Sequence, residues 1–187
     1  MARIEMVQPE NATGDLAKVY EELVESRGRI AEVHKIQSLH PQSIRDHMRL
    51  YLTVMFARSP LSRAEREMIA VVVSAGNGCA YCVRHHGEAL NHFWKDWSRI
   101  EELSARQAAA TGLTERERAL CVYAQAVAQD PAGPGTETAM NDLRALRLDD
   151  RAILDATLVV SYFSFVNRMV LALGVDLEED AGGYLYE

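Results

Sequence analysis

Residues 65–86 read EREMIAVVVSAGNGCAYCVRHH, and this stretch predicts two consecutive helices. Ser62, followed three residues later by Glu65, forms a capping box, which is typical of a helix N-terminus. Segment 68–75 is apolar on all sides, as expected of a buried helix. Three consecutive valines also suit a strand, but the capping box and the lack of a strand pattern on either side favour the helix.

The second helix of this stretch is predicted to begin at the cysteines. Asn77-Gly78 interrupts the apolar run, and a new helix runs from near Cys79 to about residue 94. Cys79, Cys82 and His86 then share one helix face, because they are spaced by three and four residues. The partial positive charge of a helix N-terminus favours a thiolate, so the pattern indicates a reactive thiol.

A Cys-x-x-Cys pair in this position can carry out redox chemistry. One sulfur is oxidised to a sulfenic acid, and the other condenses with it to form a disulfide and release water. His86 lies four residues after Cys82, so it can accept the thiol proton and return it to the leaving oxygen. Glu67 lies beside an apolar run, where an acid needs a partner, and is therefore a candidate to orient His86.

Two other interpretations of the cysteine pair stay open. Cys79, Cys82 and either His85 or His86 would supply three ligands of a zinc site, although no fourth ligand and no second Cys-x-x-Cys lies nearby. Alternatively, the two cysteines are inert and buried. Cys121 stands alone in a helical apolar stripe and is predicted to pack in the core.

The remaining polar residues of interest are predicted to have structural rather than catalytic roles. Glu65 is assigned to the capping box rather than to catalysis. Nothing in the sequence pattern suggests a metal or catalytic partner for four histidines, so they are predicted to lie on the surface or to cap helices. They are His34, His40, His47 and His92.

Helical periodicity continues through most of the chain, so the fold class is predicted to be all-α. The 187 residues are expected to form one helical domain, with residues 60–95 as its core motif region. A shift of 87 residues aligns Ser62 with Asp149 and Ser74 with Ser161, which indicates a degenerate internal helical repeat or a chance similarity of two buried helices. Further helices are predicted over residues 15–27, 41–58, 98–111, 114–129, 136–146 and 149–174.

The composition excludes several classes of protein. Lys and Arg number 20 and Asp and Glu 27, and the net charge of −7 offers no electrostatic footprint for nucleic acid or an anionic membrane. The longest unbroken apolar run, residues 68–73, is too short to cross a bilayer, and the N-terminus lacks a signal-peptide core. Three cysteines do not form a disulfide framework, so a reducing, cytoplasmic location is expected.

At these residues the sequence resembles the alkyl hydroperoxidase D-like branch of the carboxymuconolactone decarboxylase superfamily. The motif of that branch is Glu, eleven residues, Cys-x-x-Cys, three residues and His. Here Glu67, the pair Cys79 and Cys82, and His86 match every spacing. The run NGCAYCVRHHG at residues 77–87 further resembles the peroxidase-related subgroup.

The resemblance implies an alkyl hydroperoxidase D-like helical fold and a role for each motif residue. It implies that Cys82 is the peroxidatic cysteine and Cys79 the resolving cysteine. His86 and Glu67 match a relay that deprotonates Cys82. Decarboxylase members of the superfamily lack the cysteine pair, which argues against decarboxylation by this chain.

Tyr81 departs from the family pattern, because well-studied members carry a histidine at this position. A phenol can still donate a hydrogen bond, and His85 can take over part of the role. Tyr81 and His85 are therefore auxiliary candidates for the site.

The first functional hypothesis is a thiol-dependent peroxidase for antioxidant defence, which reduces hydroperoxides through a Cys79–Cys82 disulfide. The alternatives are a dithiol–disulfide oxidoreductase with a non-peroxide substrate and a non-catalytic zinc-binding or redox-sensing module. The peroxidase hypothesis assigns no cofactor and no metal. The resemblance also implies a dithiol reductant protein, such as a lipoylated one, and a homo-oligomer (dimer, trimer or hexamer).

Overall fold

The computed structural model describes residues 2–178, and within that range it contains helices and no strand. The predicted all-α class is therefore confirmed. Short 3-10 turns lie at Pro9–Asn11 and Gln107–Ala109. The α-helices of the described residues are α1 (Gly14–Arg27), α2 (Glu32–Lys35), α3 (Pro41–Phe56), α4 (Arg63–Gly76), α5 (Ala80–Trp94), α6 (Trp97–Arg106), α7 (Glu115–Gln129), α8 (Pro134–Ala145) and α9 (Asp150–Leu173).

Most helix boundaries agree with the sequence predictions to within two residues, but two regions differ. The helix predicted over 98–111 ends at Arg106, because Gln107 adopts a positive φ of 54° and a 3-10 turn follows. The four-residue helix α2 was not predicted. A helix of that length has too few residues to show a hydrophobic period.

The buried helix predicted before the cysteines is α4, which lies at the centre of the fold. The Ser62 side chain accepts a hydrogen bond from the Glu65 N–H at 3.2 Å, and the Glu65 carboxylate accepts one from the Ser62 N–H at 2.7 Å, so the capping box is confirmed. Residues 68–74 are at most 1% exposed. Helices α3, α5, α6, α7 and α9 all pack against α4.

Helix α9 begins 87 residues after α4, as the predicted repeat requires, since Asp149 and Ser62 are the two N-caps. The similarity stops there. The chain turns at Asn77 and at Gly78, whose φ is +70°, whereas α9 continues without a break for 24 residues.

Among residues 2–178, α9 is the helix that is long and apolar enough to span a membrane, with a mean hydropathy of 1.5. It packs against α3, α4 and α7.

A smaller apolar cluster joins α1 to α3 and so places the chain between them against the main body of the fold. Leu16, Val19 and Tyr20 of α1 pack against Ile44 and Met48 of α3. The segment between these helices contains α2, and the Val33 N–H donates to the Tyr81 hydroxyl of α5 at 3.3 Å. As a result, α2 lies over the first turns of α5, where the cysteines are.

Candidate active site

The two cysteines of the motif lie at the start of α5, as predicted. Cys79 is the N-cap residue and Cys82 lies in the first turn. Both are free thiols and are buried, with exposures of 0% and 2%. The Cys79 N–H donates to the Ser74 carbonyl at 2.8 Å, which closes the turn between α4 and α5.

The pKa values of the two cysteines shift in opposite directions. The Cys82 thiol donates a hydrogen bond to the Cys79 sulfur, and although burial opposes it, this bond and those from nearby N–H groups lower the pKa of Cys79 to about 7. The same hydrogen bond, burial and the adjacent negative charge raise the pKa of Cys82 well above its ordinary value. The pair therefore shares one thiolate near neutral pH.

Asn167 and Ser74 complete the surroundings of the sulfurs, and the sequence analysis did not identify them as site residues. Asn167 of α9 is fully buried, donates to Ser74 Oγ at 3.1 Å and accepts from Asn77 Nδ2 at 2.9 Å. Its side chain also bonds to both thiols and lowers the pKa of each. An asparagine within the apolar stripe of α9 is the signal that points to such a site, because a buried amide needs partners.

Glu67 pairs with the half-buried Arg63 and His86, and His86 lines the same cavity as Cys82. Glu67 is fully buried, with Oε2 at 2.6 Å from His86 Nδ1 and Oε1 at 2.8 Å from Arg63 Nε. Burial favours a higher pKa for Glu67, but the charges and hydrogen bonds of His86 and Arg63 outweigh it and lower that pKa. The structure thus brings Glu67 to His86 as predicted, and it adds Arg63, which the motif did not reveal.

A cavity of about 80 Å³ lies beside Cys82 and not beside Cys79. A molecule in the cavity therefore contacts Cys82, whereas the lowered pKa favours the negative charge on Cys79. The cavity wall contains Cys82, Tyr81, His85 and His86 from α5, together with Arg27, Ala31, Val33, His34, His47, Met48, Tyr51, Ala89, Tyr162, Phe163 and Val166.

Two of the histidine predictions were wrong. His34 and His47 are buried and line this cavity instead of lying on the surface. His47 Nδ1 is 2.8 Å from Gln37 Nε2, and His47 Nε2 is 2.6 Å from the Tyr162 hydroxyl. Burial lowers the pKa of His34 to about 3 and that of His47 to about 4, so both rings are neutral at physiological pH.

The other histidine and cysteine predictions agree with the structure. His40 caps α3 by accepting the Ser43 N–H at 3.2 Å, and His92 is exposed. Cys121 is fully buried in the core, and burial raises its pKa to about 12.

Glu178, which follows α9, is a further residue that the motif did not reveal. Its Oε1 accepts hydrogen bonds from the Glu32 N–H at 2.8 Å and the Tyr81 hydroxyl at 3.0 Å, and its Oε2 is 2.8 Å from His85 Nε2. Although burial opposes it, the bonds from His85 and from the Glu32 N–H lower the pKa of Glu178 to about 2. The Glu178 carboxylate thus connects α2 to α5 and contacts the two auxiliary candidates, Tyr81 and His85.

The geometry speaks against the zinc alternative. Within residues 2–178, no three His, Cys, Asp or Glu side chains are grouped so that they could hold a metal ion. Carboxylates orient both histidines, Glu67 at His86 Nδ1 and Glu178 at His85 Nε2. The arrangement is instead suited to moving protons to and from a thiol pair at a small cavity.

Comparisons with known proteins agree with the motif and the fold. Residues 44–126 match the model of the carboxymuconolactone decarboxylase family. An uncharacterized peroxidase-related protein from Silicibacter sp. TM1040 superposes with a TM-score of 0.83 and 27% identity, over 99% of this chain and 94% of that one. The alkylhydroperoxidase AhpD core protein from Ralstonia eutropha JMP134, also described as peroxidase-related, has a TM-score of 0.85 and 23% identity, over 96% and 93% of the two chains.

The fold also occurs in a protein that is named as a debrominase. The debrominase Bmp8 has a TM-score of 0.74 and 18% identity, over 93% of this chain and 91% of its own. No curated protein matches the sequence. The resemblance to the alkyl hydroperoxidase D-like proteins is confirmed, and proteins of this fold have more than one activity.

Proposed function

We propose that this chain is a thiol-dependent peroxidase that reduces hydroperoxides with Cys79 and Cys82. Both cysteines lie within residues 44–126, which match the carboxymuconolactone decarboxylase family model. One observation carries the proposal: Cys82 and His86 line the same cavity, while hydrogen bonds from Cys82 and Asn167 favour a thiolate at Cys79 behind it. Peroxide reduction requires a reactive sulfur at a cavity, a neighbouring thiolate that can accept its proton, and a histidine that a carboxylate orients.

The first step oxidises Cys82. Cys79 begins as the thiolate, and His86, held by Glu67, is the proton donor of this step. The Cys82 proton moves along its hydrogen bond to the Cys79 sulfur as Cys82 attacks the terminal oxygen of the hydroperoxide. An S–O bond forms, the O–O bond breaks, and the departing alkoxide takes the proton of His86 and leaves as an alcohol.

The second step closes the disulfide. Cys79 passes its proton to His86 and attacks the sulfenic sulfur of Cys82. The S–S bond forms, the S–O bond breaks, and the hydroxide takes the proton back from His86 and leaves as water. A dithiol reductant protein, for which a lipoylated protein is our candidate, then reduces the disulfide and is itself oxidised.

The cellular setting that we propose follows from this chemistry. A cycle that needs reduced thiols suits the cytoplasm and a role in antioxidant defence. A second copy of the chain is our candidate to cover the exposed Leu154, Leu158 and Phe165 of α9. The alternative, a dithiol–disulfide oxidoreductase acting on a non-peroxide substrate, would use the same two sulfurs.

Mass spectrometry of the intact protein after substoichiometric peroxide tests the proposal. We expect the loss of two hydrogens, mapped to a Cys79–Cys82 disulfide, and the same result for the control Cys121→Ala. Cys79→Ser should gain one oxygen without ring closure, and Cys82→Ser should not turn over. Peroxide consumption by Cys82→Ser at the wild-type rate would contradict the mechanism, and closure with disulfide reagents but not with peroxides would favour the alternative.

A further inference from the structure

The cavity wall contains two neighbouring buried histidines, His34 and His47. His34 lines the cavity, is 9% exposed, and its Nδ1 is buried without a hydrogen-bond partner among residues 2–178. The neighbouring His47, whose ring lies 5.5 Å away, has a partner on each nitrogen. Buried ring nitrogens are normally paired, so the unpaired atom of His34 requires an explanation.

Hydrogen bonds to α5 and Glu178 fix the backbone that precedes His34. Glu178 accepts the Glu32 N–H, and Tyr81 accepts the Val33 N–H, so the residues directly before His34 are bonded across to α5. The position of His34 relative to Cys82 is therefore set by the fold. Both residues line the cavity, so a molecule bound there can contact both side chains.

We infer that His34 is the substrate-recognition residue of the cavity, and that it binds a hydroxyl-type group on the organic part of the hydroperoxide. The inference rests on the proposed function and narrows it to small hydroperoxides that carry a second hydrogen-bonding group. A neutral imidazole either donates or accepts at Nδ1 according to its tautomer. A hydroxyl does both, and so it pairs with either form.

The walls and the volume of the cavity define the rest of the substrate. The rings of Tyr51, Tyr162 and Phe163 line the cavity and can contact the carbon part of the molecule. The cavity volume of about 80 Å³ restricts the substrate to a small molecule.

Two hydroperoxides of equal size separate recognition by His34 from simple fit. 2-Hydroxyethyl hydroperoxide and propyl hydroperoxide differ only in a hydroxyl in place of a methyl group. For the wild-type protein we expect kcat/KM to be about tenfold higher for the hydroxyl compound, because only that compound satisfies the buried nitrogen. His34→Phe should remove the preference, and His34→Gln, which keeps a hydrogen-bonding group, should retain part of it.

The outcomes distinguish this inference from the proposed function. Consumption of neither hydroperoxide by the wild type would overturn the peroxidase proposal itself. Equal kcat/KM for both in the wild type, or an undiminished preference in His34→Phe, would overturn the role of His34 alone. The control His92→Phe, at an exposed histidine of α5, should keep the wild-type ratio. If His34→Phe does not fold, the wild-type ratio and His34→Gln decide the matter.

Discussion

Asn167→Leu tests the charge distribution at the cysteine pair most directly. Leucine has a similar shape but cannot donate to the sulfurs, and it also removes the partner of Ser74 Oγ and Asn77 Nδ2. A hydrogen bond to a charged group contributes about 1.5–3 kcal/mol, and one pKa unit corresponds to about 1.4 kcal/mol. We therefore expect the pKa of Cys79, about 7 in the wild type, to rise by about one to two units.

Thiolate absorbance near 240 nm as a function of pH measures this shift, because it reports charge whether or not a sulfur is accessible. The control Cys121→Ala should leave the titration near pH 7 unchanged, since the pKa of Cys121 is about 12. Cys79→Ser should abolish that titration. A curve for Asn167→Leu that overlays the wild type, or a step near pH 7 that persists in Cys79→Ser, would refute the assignment of the charge.

The same substitution has a predicted effect on stability. The pKa of Cys79 is lower in the folded protein than the ordinary thiol value of 9.0. Its contribution to the free energy of unfolding is therefore present above about pH 9 and is lost as the pH falls through 7. Asn167→Leu should be destabilised more, relative to wild type, at pH 9 than at pH 6. Denaturant unfolding at the two pH values measures the difference.

Three further predictions address the surroundings of the site. Glu67→Gln removes the charge that holds His86, so the rate of oxidation by peroxide should fall by about 10²-fold or more. A stopped-flow pH profile that matches the wild type would argue against a relay through Glu67. The pKa of Glu178 is about 2 in the folded protein against an ordinary 4.5, so its stabilising effect is present above pH 4.5 and is lost towards pH 2. The melting temperature of Glu178→Gln should accordingly be lower than that of the wild type at pH 6 and should converge with it near pH 2. Leu154 and Leu158 are 52% and 39% exposed and lie one turn apart on α9. Arginine at both positions should yield a smaller species in sedimentation velocity, and an unchanged multimer, or a monomeric wild type, would exclude this face as the contact between copies.

Local patterns in the sequence predicted much of the fold. Ser62 and Glu65 marked the start of α4, and Asn77-Gly78 marked its end, because caps and turns depend on residues only a few positions apart. The relation of Cys82 to His86 follows in the same way from one turn of a helix. The contact of Glu67 with His86 spans 19 residues and was predicted from the burial of a charge in an apolar helix rather than from local geometry.

The sequence by itself therefore determined the helical class, the cysteine pair at a helix start and the histidine beside it. Only the tertiary structure decided which groups surround them. Asn167 meets Ser74 across 93 residues, Glu178 meets His85 across 93, and His47 meets Tyr162 across 115. No periodicity or spacing encodes such pairs, because they arise from packing α9, the segment after it and α3 against α4 and α5. The same packing leaves Cys82, and not Cys79, facing the cavity, while the hydrogen bonds that it creates place the charge on Cys79.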